Sequence, residues 1–327
     1  MPRQARLDTL GALHHIMVRG INRSRIFKDE EDKRSFLRRL GRAVEKGECS
    51  IYAWVLMDNH VHILFKSGRQ GISAVMRKVL SGYAQYFNRR HRRRGHLFEN
   101  RYKSILCDEE TYLLALVRYI HLNPVRARVV STIRELDRYP WSGHSMIVGR
   151  EDHSWMDRDY VLSRFGREKG SAVGRYRKFV GEGKGMGRIP ELTGGGLKRS
   201  LGGWSQVMAL RRRGGGEESD ERILGCGEFV ERILREVEER QLRQLRLRRK
   251  GKGVEGIIEE ECEKSGVDRK ELEKGGRRGV VSRVREVVSY RCGEELGISA
   301  AEIARHVGVG TSSVLRAMER GRGRRRN

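Results

Sequence analysis

One short segment constrains the fold of this chain more than any other. Residues 57–65 read MDNHVHILF, so His60 and His62 are separated by a single residue. Val, Ile and Phe favour strands, and the preceding Asp-Asn favours a turn, so the segment predicts the second strand of a hairpin. Side chains at i and i+2 of a strand point to the same face. Both imidazoles can therefore converge on one cation.

A second segment supplies a phenol and an amide. Residues 108–124, DEETYLLALVRYIHLNP, predict a helix whose last turn carries Tyr119 and Asn123. An i, i+4 pair lies on one helix face. Pro124 disfavours helical geometry in the residue before it, so the helix should stop near Asn123. Two histidines, an amide oxygen and a phenol can meet around one phosphate. These groups are the ones needed to break and rejoin a nucleic-acid strand through a covalent tyrosyl phosphate.

The net charge indicates the same partner. Lys and Arg number 69 against 43 Asp and Glu, a formal charge of +26. Such an excess is typical of proteins that neutralise nucleic-acid phosphates. A membrane surface also attracts positive charge, but the chain has neither a membrane-spanning apolar run nor the apolar core of a signal peptide, so we expect a cytoplasmic protein. The five cysteines are widely spaced without a CxxC pair, which predicts neither a zinc site nor a disulfide framework.

Strands and helices alternate from Ala12 to about Val130. The pattern predicts a strand at LHHIMVRG, a helix opened by Asp29, the hairpin CSIYAWVL and VHILF, a helix from Ile72 to Arg90, a strand through LFENRYKSILC, and the Tyr119 helix. This β-α-β-β-α-β order predicts an α+β fold of the ferredoxin-like, split βαβ type, an antiparallel sheet with helices on one face. We therefore predict a catalytic domain over residues 1–130.

The rest of the chain divides into two further predicted parts. Residues 131–225 predict a helical extension, with helices near YVLSRFG and SAVGRYRKFV, and a Gly-rich linker. Residues 226–327 predict an all-α domain. Its closing segment, GISAAEIARHVGVGTSSVLRAMERG, predicts a helix-turn-helix around Gly308 that presents its second helix to the DNA major groove. The residues placed to contact DNA there are Thr311, Ser312, Ser313 and Arg316.

Other tyrosines, histidines and basic residues of the chain are candidates for the same roles. Tyr83 and Tyr86 are rival nucleophiles, but both fall in the apolar stripe of their helix, which favours packing. His14 and His15 are adjacent and thus on opposite strand faces, which makes them poor joint ligands. The run NRRHRRRGH and its neighbours are either a solvated basic turn or phosphate contacts. The candidate DNA-binding residues here are Arg89, Arg90, Arg92, Arg93, Arg94, Arg101 and Lys103.

A cation at the His60–His62 pair would lower the barrier to attack on a phosphodiester by taking up charge on a non-bridging oxygen. Two neutral histidines and the Asn123 amide leave positions open for phosphate oxygen and water. That donor set suits Mg²⁺ or Mn²⁺ better than a permanent zinc ion.

The motifs HVHIL, GHLFENRYKS and RYIHLNPVRA occur in the order and spacing of a known family. Over about its first 130 residues the chain resembles the single-tyrosine HUH transposases, and most closely their branch associated with repetitive extragenic palindromes. The resemblance implies His60 and His62 as metal ligands, Asn123 as the third ligand, Tyr119 as the nucleophile, and single-stranded hairpin DNA as the substrate.

The C-terminal stretch resembles the helix-turn-helix domain of the bacterial replication initiator, but it departs at Gly310 and Thr311, where that family has an Asp-His pair. Together the two resemblances imply a metal-dependent transposase acting through a 5′-phosphotyrosine, with duplex DNA bound by the C-terminal domain. We expect no nucleotide cofactor, and we expect the protein to be a monomer or homodimer. The alternative is a domesticated regulator that binds palindromic DNA without cutting it.

Overall fold

The computed structural model describes residues 7–68, 71–186, 189, 192, 220, 222–249 and 253–324. The chain forms two compact units, Met1–Glu231 and Arg232–Asn327. The glycine runs 194–196 and 214–216 of the predicted linker lie outside the described residues.

The first unit is built on a five-stranded sheet in the order β2-β3-β1-β4-β5. β3 pairs antiparallel with β2 and β1, and β1 pairs antiparallel with β4. This is the order expected of a split βαβ fold, so the predicted α+β class is confirmed. The short β5 adds an edge parallel to β4 that the sequence did not indicate. The strands are β1 Leu13–Arg19, β2 Ser50–Met57, β3 His60–Lys66, β4 Lys103–Cys107 and β5 Ile223–Leu224.

Strand β4 is shorter than predicted. Leu97 and Glu99 bond with the backbone at and just beyond the end of β1: Ile21 N donates to Leu97 O at 3.0 Å, and Glu99 N donates to Arg19 O at 3.0 Å. Residues 99–101 are polar and exposed, so no buried face holds them in the sheet. The regular strand therefore begins only at Lys103.

Helices α1 (Glu30–Gly47) and α2 (Gly71–Arg90) pack against each other. Helix α1 begins after Asp29, whose carboxylate accepts a hydrogen bond from Asp32 N at 3.0 Å, as an N-cap does. The rings of Phe27, Phe36 and Tyr83 lie 5.2–5.5 Å apart between the two helices. The helices of this unit are α1 Glu30–Gly47, α2 Gly71–Arg90, α3 Glu109–His121, α4 Asn123–Arg126, α5 Ile133–Asp137, α6 Gly143–Ile147, α7 Arg158–Ser163 and α8 Lys169–Glu182, with 3₁₀ turns at Ile21–Arg23 and Gly183–Met186.

The segment that follows residue 130, predicted as a helical extension, covers the edge of the sheet formed by β2. Leu56 N donates to Trp141 O at 2.9 Å, and Asp157 N donates to Ile51 O at 2.9 Å, so both ends of β2 bond with this segment. Exposed edge strands invite pairing with other chains, and this cover removes that edge. Leu136, Ile147 and Tyr176 are buried in the core of the first unit. The segment up to α8 is therefore part of that unit's core.

The second unit is helical. Its buried residues include Ile258, Val288, Ile303 and Val314. Gly308 turns the chain between the helices α13 (Ala300–His306) and α14 (Thr311–Arg324) with φ +62°, and a Cβ there would meet Glu273 O at 1.7 Å, so only glycine fits. The helices are α9 Gly227–Arg249, which crosses the boundary between the units, α10 Val254–Ser265, α11 Arg269–Glu273, α12 Gly279–Glu294, α13 Ala300–His306 and α14 Thr311–Arg324. None of the helices in the described residues is long and apolar enough to cross a membrane.

Candidate active site

His60 and His62 both project from β3 on the same sheet face. The register places His60 opposite Arg19 and His62 opposite Met17 on β1. The two imidazole rings lie 5.2 Å apart, centroid to centroid, at 86° to each other. His60 is half-buried, and His62 is only 7% exposed. The strand therefore brings the two predicted ligands together as its period requires.

Tyr119 joins this pair from α3, which packs against β2 and β3. Its ring centroid lies 6.0 Å from that of His62 and 6.0 Å from that of His15. Its side chain is buried among these rings, with 7% of the residue exposed. The predicted nucleophile and the predicted ligands thus belong to one cluster, although they lie nearly 60 residues apart in sequence.

Asn123 lies beside Tyr119, but not within the same helix as predicted. Helix α3 ends at His121 and Asn123 starts the short α4, because Pro124 cannot continue the first helix. The Asn123 amide nitrogen donates to Tyr119 O at 3.0 Å and to Ile120 O at 3.1 Å. These contacts occupy the nitrogen, so Oδ1 is the atom that can serve as a ligand.

The orientation of His60 is set by its neighbour in the hairpin turn. Asn59 Nδ2 donates to Arg23 O at 3.1 Å. This hydrogen bond identifies the nitrogen of the Asn59 amide, so the atom that faces His60 is the oxygen, Oδ1. His60 Nδ1 lies 2.7 Å from that oxygen and must be the donor, since an amide oxygen only accepts. In the neutral ring, Nε2 then carries the lone pair that can bind a cation.

His15 is a member of the cluster that the sequence reasoning missed. His14 and His15 do point to opposite faces: His14 Nδ1 lies 3.2 Å from Ser104 Oγ. His15 Nε2, however, lies 2.9 Å from His62 Nδ1, and the two rings stack at 5.1 Å and 29°. Only the register of β1 on β3 places these residues diagonally across the two strands. No pattern within LHHIMVRG indicates that register.

Burial keeps both of these histidines uncharged. It lowers the pKa of His15 to about 4, against a smaller raising effect of the hydrogen bond to the Leu192 carbonyl. Burial also lowers the pKa of His62 well below its usual value, with further lowering by the neighbouring His15 and His60. A neutral imidazole is the form that binds a metal ion.

Arg126 is a second residue that the sequence reasoning missed. Its guanidinium carbon lies 4.8 Å from the centre of the Tyr119 ring, and Nη1 donates to Tyr119 O at 2.8 Å. Burial lowers the pKa of Arg126, whereas Tyr119 raises it. A positive charge against the phenol ring favours a phenolate or a bound phosphate. The break at Pro124 hides this pairing from any helical pattern.

A buried polar chain anchors the end of α3. His144 Nε2 donates to Asp137 Oδ1 at 2.9 Å, so its Nδ1 accepts from the Tyr176 hydroxyl at 2.8 Å. The Tyr176 oxygen in turn accepts from His121 Nδ1 at 2.7 Å. His121 is two residues from Tyr119, so the chain ties the position of the phenol to α6 and α8.

The rival tyrosines lie in the layer of α1 and α2. Tyr83 is fully buried, and its hydroxyl donates to Ile26 O at 2.5 Å. The Tyr86 ring packs under the guanidinium of Arg39 at 4.9 Å. Both contacts fit the packing role expected of these residues.

The predicted DNA-binding residues of the first unit fall into two groups. Arg90 pairs with Asp29 at 2.7 Å and Asp32 at 2.6 Å, so it ties α2 to the start of α1. Arg93 donates to His96 O at 2.8 Å and shapes the following turn. The others are exposed on the surface: Arg89, Arg92, Arg94, Arg101 and Lys103.

The predicted DNA-binding residues of the second unit lie at the start of α14. Thr311, Ser312 and Arg316 are exposed, while Ser313 is half-buried. Arg316 Nη2 lies 3.4 Å from Ser313 Oγ. Helices α13 and α14 with the turn at Gly308 have the order of a helix-turn-helix.

The donor set fits a weakly held divalent cation. Within the residues that the structure describes, no group of three or more His, Cys, Asp or Glu side chains can hold a metal ion. His60 and His62 offer two imidazole nitrogens and Asn123 one amide oxygen, which leaves positions for phosphate oxygens and water. Mg²⁺ and Mn²⁺ accept such partly filled sites, whereas a structural zinc site has four protein ligands.

Comparison with known proteins found a family model that matches part of the chain. The family model for IS200-like transposases matches residues 10–123, a span that contains His60, His62, Tyr119 and Asn123. No curated protein sequence matches the chain. A solved structure, described as a REP-associated tyrosine transposase bound to a REP hairpin, aligns with 48% of this chain and 98% of its own, at 17% identity and a TM-score of 0.38.

Proposed function

We propose that the chain is a DNA transposase that cuts and rejoins single-stranded, hairpin-bearing DNA through Tyr119, with Mg²⁺ or Mn²⁺ as cofactor. The observation that carries the proposal is the cluster of Tyr119 with His60 and His62, inside the span that matches the IS200-like family. The charge of +26 supports a nucleic-acid substrate. We place this activity in the cytoplasm.

Each residue of the cluster has a proposed task. His60 Nε2, His62 Nε2 and Asn123 Oδ1 would hold the cation, which when bound supplies positive charge to a non-bridging phosphate oxygen. Tyr119 Oη attacks the phosphorus as its proton passes to water. The bond from phosphorus to the 3′-oxygen breaks, and that oxygen takes a proton from water and leaves as a free 3′-hydroxyl. Arg126 favours the phenolate by its charge against the ring.

The product is a 5′-phosphotyrosine. A phenolate leaves phosphorus more readily than an alkoxide, so a 3′-hydroxyl of DNA can reverse the step. Strand transfer by this route needs no nucleotide cofactor. The exposed Arg89, Arg92 and Arg94 are placed to contact the hairpin backbone.

We further propose that the second unit binds duplex DNA through α14. Thr311, Ser312 and Arg316 would reach base edges or phosphates in the major groove, and the half-buried Ser313 would support Arg316.

The cleavage activity is tested with an end-labelled single-stranded hairpin in Mn²⁺. We expect a covalent protein–DNA adduct on a denaturing gel, and no adduct in EDTA or with the fully duplexed form of the same sequence. Hairpin binding without any adduct would contradict cleavage and support the alternative, a DNA-binding regulator that does not cut.

A further inference from the structure

His62 is the last member of a hydrogen-bonded chain that begins at a backbone carbonyl. His15 Nδ1 lies 3.0 Å from Leu192 O, and His15 Nε2 lies 2.9 Å from His62 Nδ1. His15 has none of its surface exposed. Both nitrogens of His15 and Nδ1 of His62 are thus engaged in these hydrogen bonds.

The chemistry of the partners decides which atom donates and which accepts in each of these hydrogen bonds. A carbonyl oxygen only accepts, so the proton of His15 lies on Nδ1. Burial disfavours the doubly protonated ring, so His15 Nε2 is an acceptor. His62 Nδ1 must then be the donor, and in the neutral His62 ring the lone pair lies on Nε2.

We propose that His15 is a positioning residue that holds His62 in its Nδ1–H tautomer and so presents Nε2 to the cation. The part of this proposal that concerns the cation rests on the proposed function, whereas the tautomer does not. Asn59 Oδ1 holds His60 in the same way, so both ligands would offer Nε2. Polar partners of this kind orient metal-binding histidines in general.

Loss of His15 has a specific consequence for His62. Without an acceptor at Nδ1, the His62 proton can move to Nε2, where it blocks the lone pair. We expect the affinity for Mn²⁺ to fall by roughly 10- to 100-fold, the usual effect of removing such a partner.

The test uses the full-length, metal-free protein with ¹⁵N-labelled histidine. The ¹⁵N shifts of a histidine show which ring nitrogen carries the proton, and the His62 signals are assigned by their loss in His62→Ala. We compare His15→Phe, which removes both nitrogens, with His15→Gln, whose side-chain oxygen can still accept from His62. His14→Phe makes the same ring change at the adjacent, fully buried histidine on the other sheet face.

We expect Nδ1–H at His62 in the wild type and in His14→Phe, with equal Mn²⁺ affinities by electron paramagnetic resonance. His15→Phe should shift the His62 proton toward Nε2 and weaken Mn²⁺ binding, and His15→Gln should restore part of both. An Nε2–H tautomer in the wild type would overturn the proposal even if every variant failed to fold, as would an unchanged tautomer in His15→Phe. Absence of Mn²⁺ binding to a wild type with Nδ1–H at His62 would contradict the proposed function and leave the tautomer assignment standing.

Discussion

Tyr119 and Tyr83 are both buried tyrosines of the first unit, but the side chains around them differ in charge. Tyr83 packs against the rings of Phe27 and Phe36, and burial raises its pKa far above the usual value. Tyr119 packs edge-on against the stacked imidazoles of His15 and His62 and lies under the guanidinium of Arg126. A neighbouring positive charge favours a phenolate, which an apolar layer opposes. Electrostatics therefore favours Tyr119 as the nucleophile.

At the residue scale, Arg126 should affect the rate of cleavage. Arg126→Gln removes the charge over the Tyr119 ring, and we expect adduct formation to slow by roughly 10²-fold, as for loss of one group that stabilises developing charge. Arg118→Gln is the matched control, because Arg118 lies on α3 but stacks on Phe179 at 4.3 Å. Single-turnover rates on one hairpin measure both. Equal slowing in the two variants would show a general loss of charge.

The two histidines of β3 should each be required for cleavage that depends on Mg²⁺ or Mn²⁺. With His60→Ala or His62→Ala, one imidazole and one amide remain, which make a weak site for either ion. We expect cleavage below detection in both variants, and the same result for the wild type after chelation. His153→Ala, at a half-buried histidine stacked on Trp155, should cleave normally. Full cleavage in EDTA would eliminate the metal role.

At the scale of elements, local patterns predicted most of the sheet and its first helices. The N-cap at Asp29 and the apolar stripe of α2 are properties of neighbouring residues, and both are present in the structure. The pairing of His15 with His62 and of Arg126 with Tyr119 depends on strand register and on a proline break. Those contacts join residues that no local pattern relates.

The polar chain at the end of α3 should contribute measurably to stability. Tyr176→Phe removes the hydroxyl that both bonds to His144 and accepts from His121, leaving two buried nitrogens without that partner. We expect the free energy of unfolding to fall by about 1–3 kcal/mol. Tyr86→Phe is the control, since the buried Tyr86 hydroxyl has no hydrogen-bond partner within the described residues. In urea denaturation, Tyr176→Phe should unfold at a lower midpoint than Tyr86→Phe. Equal midpoints would contradict a structural role for the hydrogen bonds of Tyr176.

At the scale of the whole molecule, the sequence indicated a helical C-terminal part, but it did not indicate that the first unit extends beyond residue 130. Residues 131–182 have weak periodicity because several of their helices are only five or six residues long. Their contribution, the cover over β2, is visible only once the sheet order is known. The structure places the boundary between the units at Glu231, within a helix.

Duplex binding should depend on the second unit. A chain ending at Glu231 should still cleave the single-stranded hairpin but lose retention on duplex DNA in gel shifts. The duplex affinity of the full chain should fall steeply with salt, because Lys and Arg contacts to phosphate release counterions. If the shortened chain binds duplex DNA as tightly as the full chain, α13 and α14 do not form a DNA-binding helix-turn-helix.

The central claim is that Tyr119 carries the DNA, and peptide mapping of the covalent adduct tests it most directly. After cleavage of a hairpin in Mn²⁺ and digestion of both DNA and protein, mass spectrometry should find a nucleotide phosphate on the peptide that contains Tyr119. Tyr119→Phe should bind the hairpin but form no adduct, while Tyr86→Phe should form it at the wild-type rate. A modified peptide containing Tyr83 or Tyr86, or an adduct that persists in Tyr119→Phe, would contradict the account.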